Sequence, residues 1–176
     1  MHEESARVAE YELTPGQHEL IRALLRESFP GYPHRSYFKQ LPQFRLLLQR
    51  DDELVGQVGV EHRVIRTGDS PLRIFGVIDL CVAPTARSQG LGSRLLGEVE
   101  TLARSAGVDA IILFADDARL YLSAGYEPAP NPVRWLMINE HESFDVAERS
   151  VEGLMVKMLC DRPWQPGLVD LLGYLF

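Results

Sequence analysis

This chain has few cysteines, and its basic residues are fewer than its acidic residues. Cys81 and Cys160 are the only cysteines among 176 residues, too few for a disulfide framework. The 25 Asp and Glu residues outnumber the 18 Lys and Arg, and the net charge of -7 argues against a nucleic-acid partner. No apolar run is long enough to cross a membrane, and the first residues lack the features of a secretory signal. We therefore expect a cytoplasmic protein with no membrane or nucleic-acid partner.

The sequence also lacks the residue spacings that are typical of metal sites and nucleotide-binding loops. The histidines are scattered: His2, His18, His34, His62 and His141. We therefore expect no metal site. No pair of glycines frames four residues before Lys-Ser or Lys-Thr, which excludes a P-loop. A dinucleotide fingerprint needs Gly or Ala three residues after Gly92, and Leu95 stands there.

The pattern of apolar residues predicts one α/β domain with a mixed sheet flanked by helices. Its elements alternate as strand, helix, hairpin, long strand, helix, strand, helix and further strands. The hairpin turns at Asp51-Asp52, and local parallel pairing is expected for the strands at 74–82 and 110–114 and for the strands after them. The domain is predicted to cover residues 1–160. The apolar segment 161–176 is predicted to be an extension that packs on the domain or at a dimer interface.

Three helices follow from the periodicity. The buried face of the first is expected to carry Leu20, Ile21, Leu24, Leu25 and Phe29. The second, ending at Gly107, is expected to bury Leu91, Leu95, Leu96, Val99, Leu102 and Ala106. The third is a short helix capped by Asp116 or Asp117 and stopped by Gly125. "HESFDVAERS" is predicted to link the two strands "VRWLMINE" and "VEGLMVKML".

The stretch "APTARSQGLGSRLL", residues 83–96, places two glycines between a strand and an amphipathic helix. The first turn of a helix has unpaired N–H groups and the positive end of the dipole. Gly90 and Gly92 leave that turn unobstructed, and Arg87 and Arg94 add charge, so a pyrophosphate would fit. Glycines alone would equally suit an ordinary turn that starts a helix.

The context of this loop resembles a known family. The run V-x-P-x-x-R-x-x-G-x-G, here Val82, Pro84, Arg87, Gly90 and Gly92, resembles the acetyl-CoA motif of the GNAT acetyltransferase superfamily. "FADDARLYLSAGYEP" resembles a later segment of the family, in which a tyrosine precedes a Gly-aromatic pair. The likeness is strongest to the YhbS-type branch. Aminoglycoside 2'-N-acetyltransferases and NodA-type acyltransferases are more distantly similar.

This resemblance implies the GNAT-like acyl-CoA N-acyltransferase fold and acetyl-CoA as co-substrate. It implies that the strand residues Leu80, Cys81 and Val82 bond the pantetheine arm. The residues that it assigns to the pyrophosphate are Arg87, Ser88, Gln89, Gly90, Leu91, Gly92 and Ser93. It also implies that Tyr121, five residues before Tyr126, lies by the cofactor and protonates the leaving thiolate, although a core aromatic is the alternative.

The base that receives the amine proton is left open by the sequence. Several relatives carry an ionisable side chain at positions where this chain has Gly76 and Ile78. The remaining candidates are Glu61 and His62 on the preceding strand, Asp79 on the cofactor strand and Asp116 after the next strand. A paired buried carboxylate, a helix cap and a strand histidine are the structural alternatives. Cys81 is expected to be a small buried strand residue and not a nucleophile.

The predicted function is acetyl-CoA-dependent N-acetylation of a primary amine on a small molecule, by direct attack in a ternary complex. Two alternatives remain: a non-catalytic acyl-CoA-binding regulatory module, and an N-acyltransferase that uses a longer acyl donor. The protein is expected to be a monomer or a homodimer.

Overall fold

Ten strands and three helices make up the chain, and the computed structural model describes all of residues 1–176. The strands are β1 Glu3–Ala9, β2 Phe44–Arg50, β3 Glu53–Thr67, β4 Ser70–Val82, β5 Ala110–Phe114, β6 Glu127–Pro128, β7 Pro132–Asn139, β8 Glu142–Ser150, β9 Leu154–Met158 and β10 Val169–Tyr174. The helices are α1 Pro15–Ser28, α2 Leu91–Ala106 and α3 Arg119–Ser123. This mixed sheet with helices confirms the predicted fold class.

The chain divides into two compact units, and β3, β4 and α2 each contribute residues to both. Unit 1 comprises residues 1–61 and 78–99. Unit 2 comprises residues 62–77 and 100–176.

The strands of unit 1 are joined in the antiparallel order β1-β2-β3. The hairpin between β2 and β3 turns at Asp51-Asp52, as predicted. Both residues have positive φ, +47° and +68°, as a two-residue type I′ turn requires, and Asp tolerates this conformation better than most residues.

Helix α1 begins with a capping box. The Thr14 hydroxyl accepts from the Gln17 amide, and the Gln17 side chain accepts from the Thr14 amide. The helix buries Ile21, Leu24 and Leu25. The prediction was wrong at Leu20, which is 49% exposed, because the buried stripe is narrower than the apolar pattern.

Helix α2 contributes Leu91, Leu95, Leu96 and Val99 to the buried residues of unit 1. Its last part belongs to unit 2 and buries Ala103, whereas the predicted Leu102 is partly exposed and Ala106 is exposed. Gly107, with a φ of +65°, ends the helix as predicted.

Eight strands form the sheet of unit 2, in the order β6-β9-β5-β4-β3-β10-β7-β8. The predicted parallel pairing of β4 with β5 is confirmed, and it covers three residue pairs, from Ile74↔Ala110 to Gly76↔Ile112. The next strand, β9, pairs with β5 antiparallel, so the parallel arrangement does not continue. The core of this unit is formed by Ile65, Leu72, Ile74, Ala110, Ile112, Val133, Trp135, Leu154, Val156, Val169 and Leu171.

Two expectations fail in unit 2. The predicted linker "HESFDVAERS" contains β8, whose residues are almost all exposed, so it lacks the alternating pattern by which a strand is detected. Helix α3 has Ala118 as its N-cap and not Asp116 or Asp117. Asp117 nevertheless accepts a hydrogen bond from the Arg119 amide at 3.0 Å, so it satisfies one of the free N–H groups.

The C-terminal segment is part of the sheet of unit 2. Strand β10 lies between β3 and β7, not at the sheet edge. The segment before it is anchored through Asn131, which accepts from Trp164 Nε1 at 2.9 Å. Asn131 in turn donates to the carbonyls of Gln165 and Gly167 at 3.0 and 2.7 Å. The domain boundary at residue 160 and the role at a dimer interface stay predictions.

Candidate active site

The glycine loop of unit 1 has an irregular backbone. After β4, residues Pro84–Ala86 form a 3-10 turn. Ser88 and Gly90 then have positive φ, +59° and +77°. Left-handed residues close together in a loop create a concave run of N–H groups that suits an anion. A Cβ built on Gly90 would meet no atom within 4 Å, so the space in front of the loop is open.

Helix α2 begins directly from this loop and leaves its first amides free. The first helical bond runs from the Arg94 amide to the Gly90 carbonyl at 2.9 Å. The amides of residues 90–93 have no hydrogen-bond acceptor in the protein. Four N–H groups and the positive end of a 16-residue helix therefore meet at one exposed place, which has the electrostatics of a phosphate site.

The arginines around the loop differ in their partners. Arg94 is held by Glu3 and Glu98, each at 3.1 Å, so its charge is largely neutralised. Arg87 is exposed and donates only to the Val82 carbonyl at 3.0 Å, which leaves its charge for a ligand. Arg50 donates to the Gln89 side chain at 2.8 Å. The sequence contained no sign of Arg50, because it reaches the loop through tertiary packing across 39 positions.

The end of β4 in unit 1 is irregular and partly open. Asp79 has a φ of +51° within the strand, a left-handed conformation that interrupts regular pairing. Ile78, Asp79 and Leu80 are partly exposed, whereas the strand is buried from Ile74 to Val77. In unit 2 the β4–β5 ladder stops at Gly76↔Ile112. The pairing of β4 with β5 therefore does not extend to Leu80, Cys81 and Val82, the residues predicted for the pantetheine arm.

Asp79 has a direct partner in Tyr32, which follows α1. The Tyr32 hydroxyl donates to Asp79 Oδ2 at 2.6 Å. Burial raises the pKa of the Asp79 carboxyl, against the opposing effects of the Tyr32 hydrogen bond and the Arg45 charge. Burial, together with the Asp79 charge, holds the pKa of Tyr32 well above its usual value, so this hydroxyl stays a donor. In the sequence Tyr32 stands among the aromatics of "FPGYPHRSYF", which suit either the lining of an acceptor pocket or a packed loop, and nothing there indicates Asp79 as its partner.

A buried polar network lies behind this pair. Arg45, 1% exposed, makes a two-pronged ion pair with Glu10 at 2.7 and 2.9 Å. It also donates to the Gln57 side chain at 3.1 Å and to the Ser36 carbonyl at 2.7 Å. The Gln57 amide in turn donates to the Asp79 carbonyl oxygen. This network fixes the irregular backbone at Asp79, because its buried polar groups must stay paired.

The other base candidates lie in different surroundings. Glu61, in unit 1, is buried at 4% exposure. His62, in unit 2, is exposed and packs edge-on against the Phe75 ring at 5.5 Å. Asp116, also in unit 2, is exposed and lines an open groove of about 680 Å³.

Tyr121 lies on α3 in unit 2, with its ring edge-on to Tyr126 at 5.9 Å. Burial, helped by the negative charge of Asp117, raises the pKa of Tyr121 to about 12. Its hydroxyl therefore carries a proton throughout the neutral range, as a donor to a thiolate must. Tyr126 is fully buried, and its hydroxyl has no hydrogen-bond partner.

Cys81 has the environment of a packing residue. It is buried, and burial raises the pKa of its thiol to about 12, so no nucleophilic thiolate forms near neutrality. No group of three His, Cys, Asp or Glu side chains is close enough to hold a metal ion. None of the helices combines the length and apolar character needed to cross a membrane.

Comparisons with known proteins agree with this geometry. The profile of the acetyltransferase (GNAT) domain matches residues 12–129. The fold is similar to that of the GNAT family N-acetyltransferase YhbS from Escherichia coli, solved in complex with CoA. That protein is 22% identical over 94% of this chain and 88% of its own, with a TM-score of 0.65. A GNAT family acetyltransferase from Brucella melitensis, solved with acetyl-CoA, is 14% identical over 94% of both chains, with a TM-score of 0.61.

Escherichia coli ElaA is also similar in fold, at 17% identity over 89% of this chain and 99% of its own, with a TM-score of 0.59. These similarities, with the strand, loop and helix described above, define an acyltransferase. The domain match spans well over half of the sequence, and the chain belongs to the GNAT acetyltransferase family.

Proposed function

We propose that this protein is an acetyl-CoA-dependent N-acetyltransferase that modifies a primary amine of a small molecule. The observation that carries the proposal is the row of free amides at residues 90–93, directly after the partly open end of β4. The pyrophosphate of acetyl-CoA has the charge and size for such a cradle. The complexes of YhbS with CoA and of the Brucella melitensis protein with acetyl-CoA support this choice of ligand.

The binding residues follow from the loop and the strand. In the proposal, Arg87, Ser88, Gln89, Gly90, Leu91, Gly92 and Ser93 hold the pyrophosphate. The charge of Arg87 adds to that of the helix start. Leu80, Cys81 and Val82 offer backbone groups to the pantetheine arm, as the family resemblance implies. Leu80 and Val82 are partly exposed and directly follow the irregular backbone at Asp79, whereas the Cys81 side chain is buried between them.

Acetyl transfer to an amine needs three kinds of group from the chain. A base accepts a proton from the amine, N–H groups polarise the thioester carbonyl, and a donor protonates the departing thiolate. The backbone of β4 supplies the N–H groups in this proposal. Tyr121 is proposed as the proton donor because of its motif position, its protonated hydroxyl and its half-buried place on α3. Glu61, Asp79 and Asp116 are the proposed set from which the base comes.

The test is a screen of primary amines with purified protein and acetyl-CoA, read as release of the CoA thiol. The expected result is amine-dependent release and an acetylated product of the right mass. A calorimetric titration with acetyl-CoA runs in parallel. Tight binding without release for any amine would favour the non-catalytic acyl-CoA-binding module. Faster turnover with longer acyl-CoA donors would favour an N-acyltransferase of different donor preference.

The acceptor and the oligomeric state, monomer or homodimer, are left to that screen and to a sizing measurement. The cytoplasmic location stays a prediction.

A further inference from the structure

We infer that Asp79 is the base that receives the proton of the acceptor amine, and that Tyr32 is the positioning residue that orients its carboxylate. This inference rests on the proposed N-acetyltransferase function and selects one residue from its candidate bases. It also assigns a role to Tyr32, which lies in the segment between α1 and β2.

Asp79 lies beside the strand residues that are proposed to bind the pantetheine arm. It directly precedes Leu80, the first residue proposed to bind the pantetheine arm, so its carboxylate belongs to the same stretch of unit 1. The residue is neither fully buried nor fully exposed, so a small amine needs only a short path from solvent to reach it. Oδ2 is engaged by the Tyr32 hydroxyl at 2.6 Å, whereas Oδ1 has no hydrogen-bond partner in the protein. One oxygen is therefore anchored and the other is available.

The orientation of this carboxylate is fixed from two sides. The left-handed backbone of Asp79, with φ at +51°, is uncommon for a non-glycine residue and needs support. Gln57 supplies it by donating to the Asp79 carbonyl, and Arg45 holds Gln57 in place. Tyr32 is itself 8% exposed and packs between the rings of Phe29 and Phe38, at 6.1 and 5.8 Å. A carboxylate held in this way is preorganised for a reaction, and its strained backbone lowers the stability of the fold.

The charges that face Asp79 decide its proton affinity. The Tyr32 hydroxyl, on the segment after α1, is neutral. Arg45, on β2, is positively charged and also forms an ion pair with Glu10. On β4 itself stands Cys81, a neutral thiol. Desolvation outweighs the two stabilising partners, so the pKa of Asp79 is raised above its ordinary value. A carboxylate with a raised pKa is the stronger base near neutral pH, provided that it is still ionised.

The step balances without any further reactant. The amine nitrogen uses its lone pair to form the N–C bond, and the C–S bond breaks with its electron pair going to sulfur. Oδ1 of Asp79 first takes one proton from the ammonium form of the amine, which frees the lone pair for attack. The second proton, which nitrogen loses as the amide forms, goes to water, and the thiolate takes one from the proposed donor. Asp79 then releases its proton to water. Glu61 and Asp116 lack this combination, because Glu61 is nearly inaccessible and Asp116 is exposed with no side chain that orients it.

The first test compares two probe amines, benzylamine and aniline, in wild type and Asp79→Asn. Benzylamine is charged at neutral pH and must lose a proton before it can attack, whereas aniline is neutral there. We expect Asp79→Asn to lower kcat/KM with benzylamine by roughly 10²–10⁴-fold at pH 7, the range typical of general-base catalysis. The loss with aniline should be at least tenfold smaller. Raising the pH should restore the benzylamine rate of the variant, because solution then supplies the neutral amine.

The second test uses the protein alone. Carboxyl carbons of labelled aspartate are titrated by NMR, and the signal missing in Asp79→Asn assigns the residue. We expect Asp79 to titrate above its ordinary range. Tyr32→Phe should raise the midpoint further, because the lost hydrogen bond had favoured the ionised form. The acid limb of the wild-type pH–rate profile should move the same way in Tyr32→Phe. Tyr11→Phe, at an exposed tyrosine, is the control.

The outcomes separate the two levels of the proposal. If wild type releases no CoA with these amines or with the wider amine panel, the proposed function is wrong and this inference fails with it. If wild type is active but Asp79→Asn keeps its rate and pH profile with benzylamine, only the inference is overturned. An equal loss with both amines would also overturn it, since that pattern indicates a structural role. Should Asp79→Asn fail to fold, Tyr32→Phe decides: an unmoved acid limb and midpoint would reject the inference.

Discussion

The ring of Phe176 lies against the backbone of Gly76. A Cβ built on Gly76 would stand 2.6 Å from Cζ of that ring, well inside contact distance. The ring is held in place by Phe114, edge-on at 5.9 Å, and by the Arg63 guanidinium, 4.8 Å from its centroid. Position 76 is one at which relatives carry an ionisable side chain according to the family resemblance. In this chain the space for such a side chain is filled by Phe176.

This contact predicts that Gly76→Ala lowers the free energy of unfolding by about 1–3 kcal/mol, the usual cost of an extra methyl group in a filled space. The cost should largely vanish in a Phe176→Ala background, because the clashing ring is gone. Urea unfolding of the four proteins in this double-mutant cycle measures the coupling. Gly97→Ala is the control, since a Cβ there meets nothing within 4 Å. Additive effects of the two substitutions would show that the contact does not exist in solution.

The loop of unit 1 predicts that Gly90→Val weakens acetyl-CoA binding at least tenfold by calorimetry. The side chain opposes the left-handed backbone and crowds the free amides, and each lost hydrogen bond to a charged group costs roughly 1.5–3 kcal/mol. Gly31→Val is a matched control. Gly31 has nearly the same φ, +80° against +77°, and equally open space. It should lose similar stability and keep its affinity. Equal affinities of the two variants would place the pyrophosphate elsewhere.

Tyr121 is predicted to act through its hydroxyl alone. Tyr121→Phe keeps the ring against Tyr126, so the melting temperature and the affinity for acetyl-CoA should barely change. The single-turnover rate should fall by up to ~10²–10⁴-fold, the range of general-acid catalysis. Tyr126→Phe removes a neighbouring hydroxyl that has no hydrogen-bond partner, so it should leave the rate unchanged. Identical rates for wild type and Tyr121→Phe would assign Tyr121 to packing.

The pair Arg45–Glu10 predicts a large loss of stability when it is broken. Arg45→Met leaves the Glu10 carboxylate buried without its partner, which typically costs about 3–5 kcal/mol. The double variant Arg45→Met/Glu10→Leu should recover much of this loss, because no uncompensated charge remains. Arg22→Met, which breaks the exposed pair with Glu19, is the control and should cost about 0–1 kcal/mol. Chemical denaturation measures all three. A small effect of Arg45→Met would mean that water reaches Glu10.

Local chemistry explains what could be predicted of the fold. The turn at Asp51-Asp52, the helix end at Gly107 and the parallel β4–β5 pair were all predicted correctly, because each depends on neighbouring residues or on a long apolar run. Strand β8 was missed because both of its faces are exposed. Strand β10 was not recognised, since its place between β3 and β7 depends on partners roughly 35 to 100 positions earlier in the chain.

The candidate site also has some features that follow from local sequence and others that depend on the packing of distant residues. The loop proposed to bind the pyrophosphate could be found from local sequence, because two glycines, an arginine and a helix start within a few residues already indicate free N–H groups and charge. Which charges remain for a ligand depends on long-range packing: Arg94 is neutralised by Glu3 and Glu98, while Arg87 is not. Long-range packing also brings Tyr32 to Asp79, 47 positions away, and fills the space at Gly76 with Phe176. The physical reason is that burial and pairing act on a side chain through whatever packs beside it, and packing is set by the whole fold.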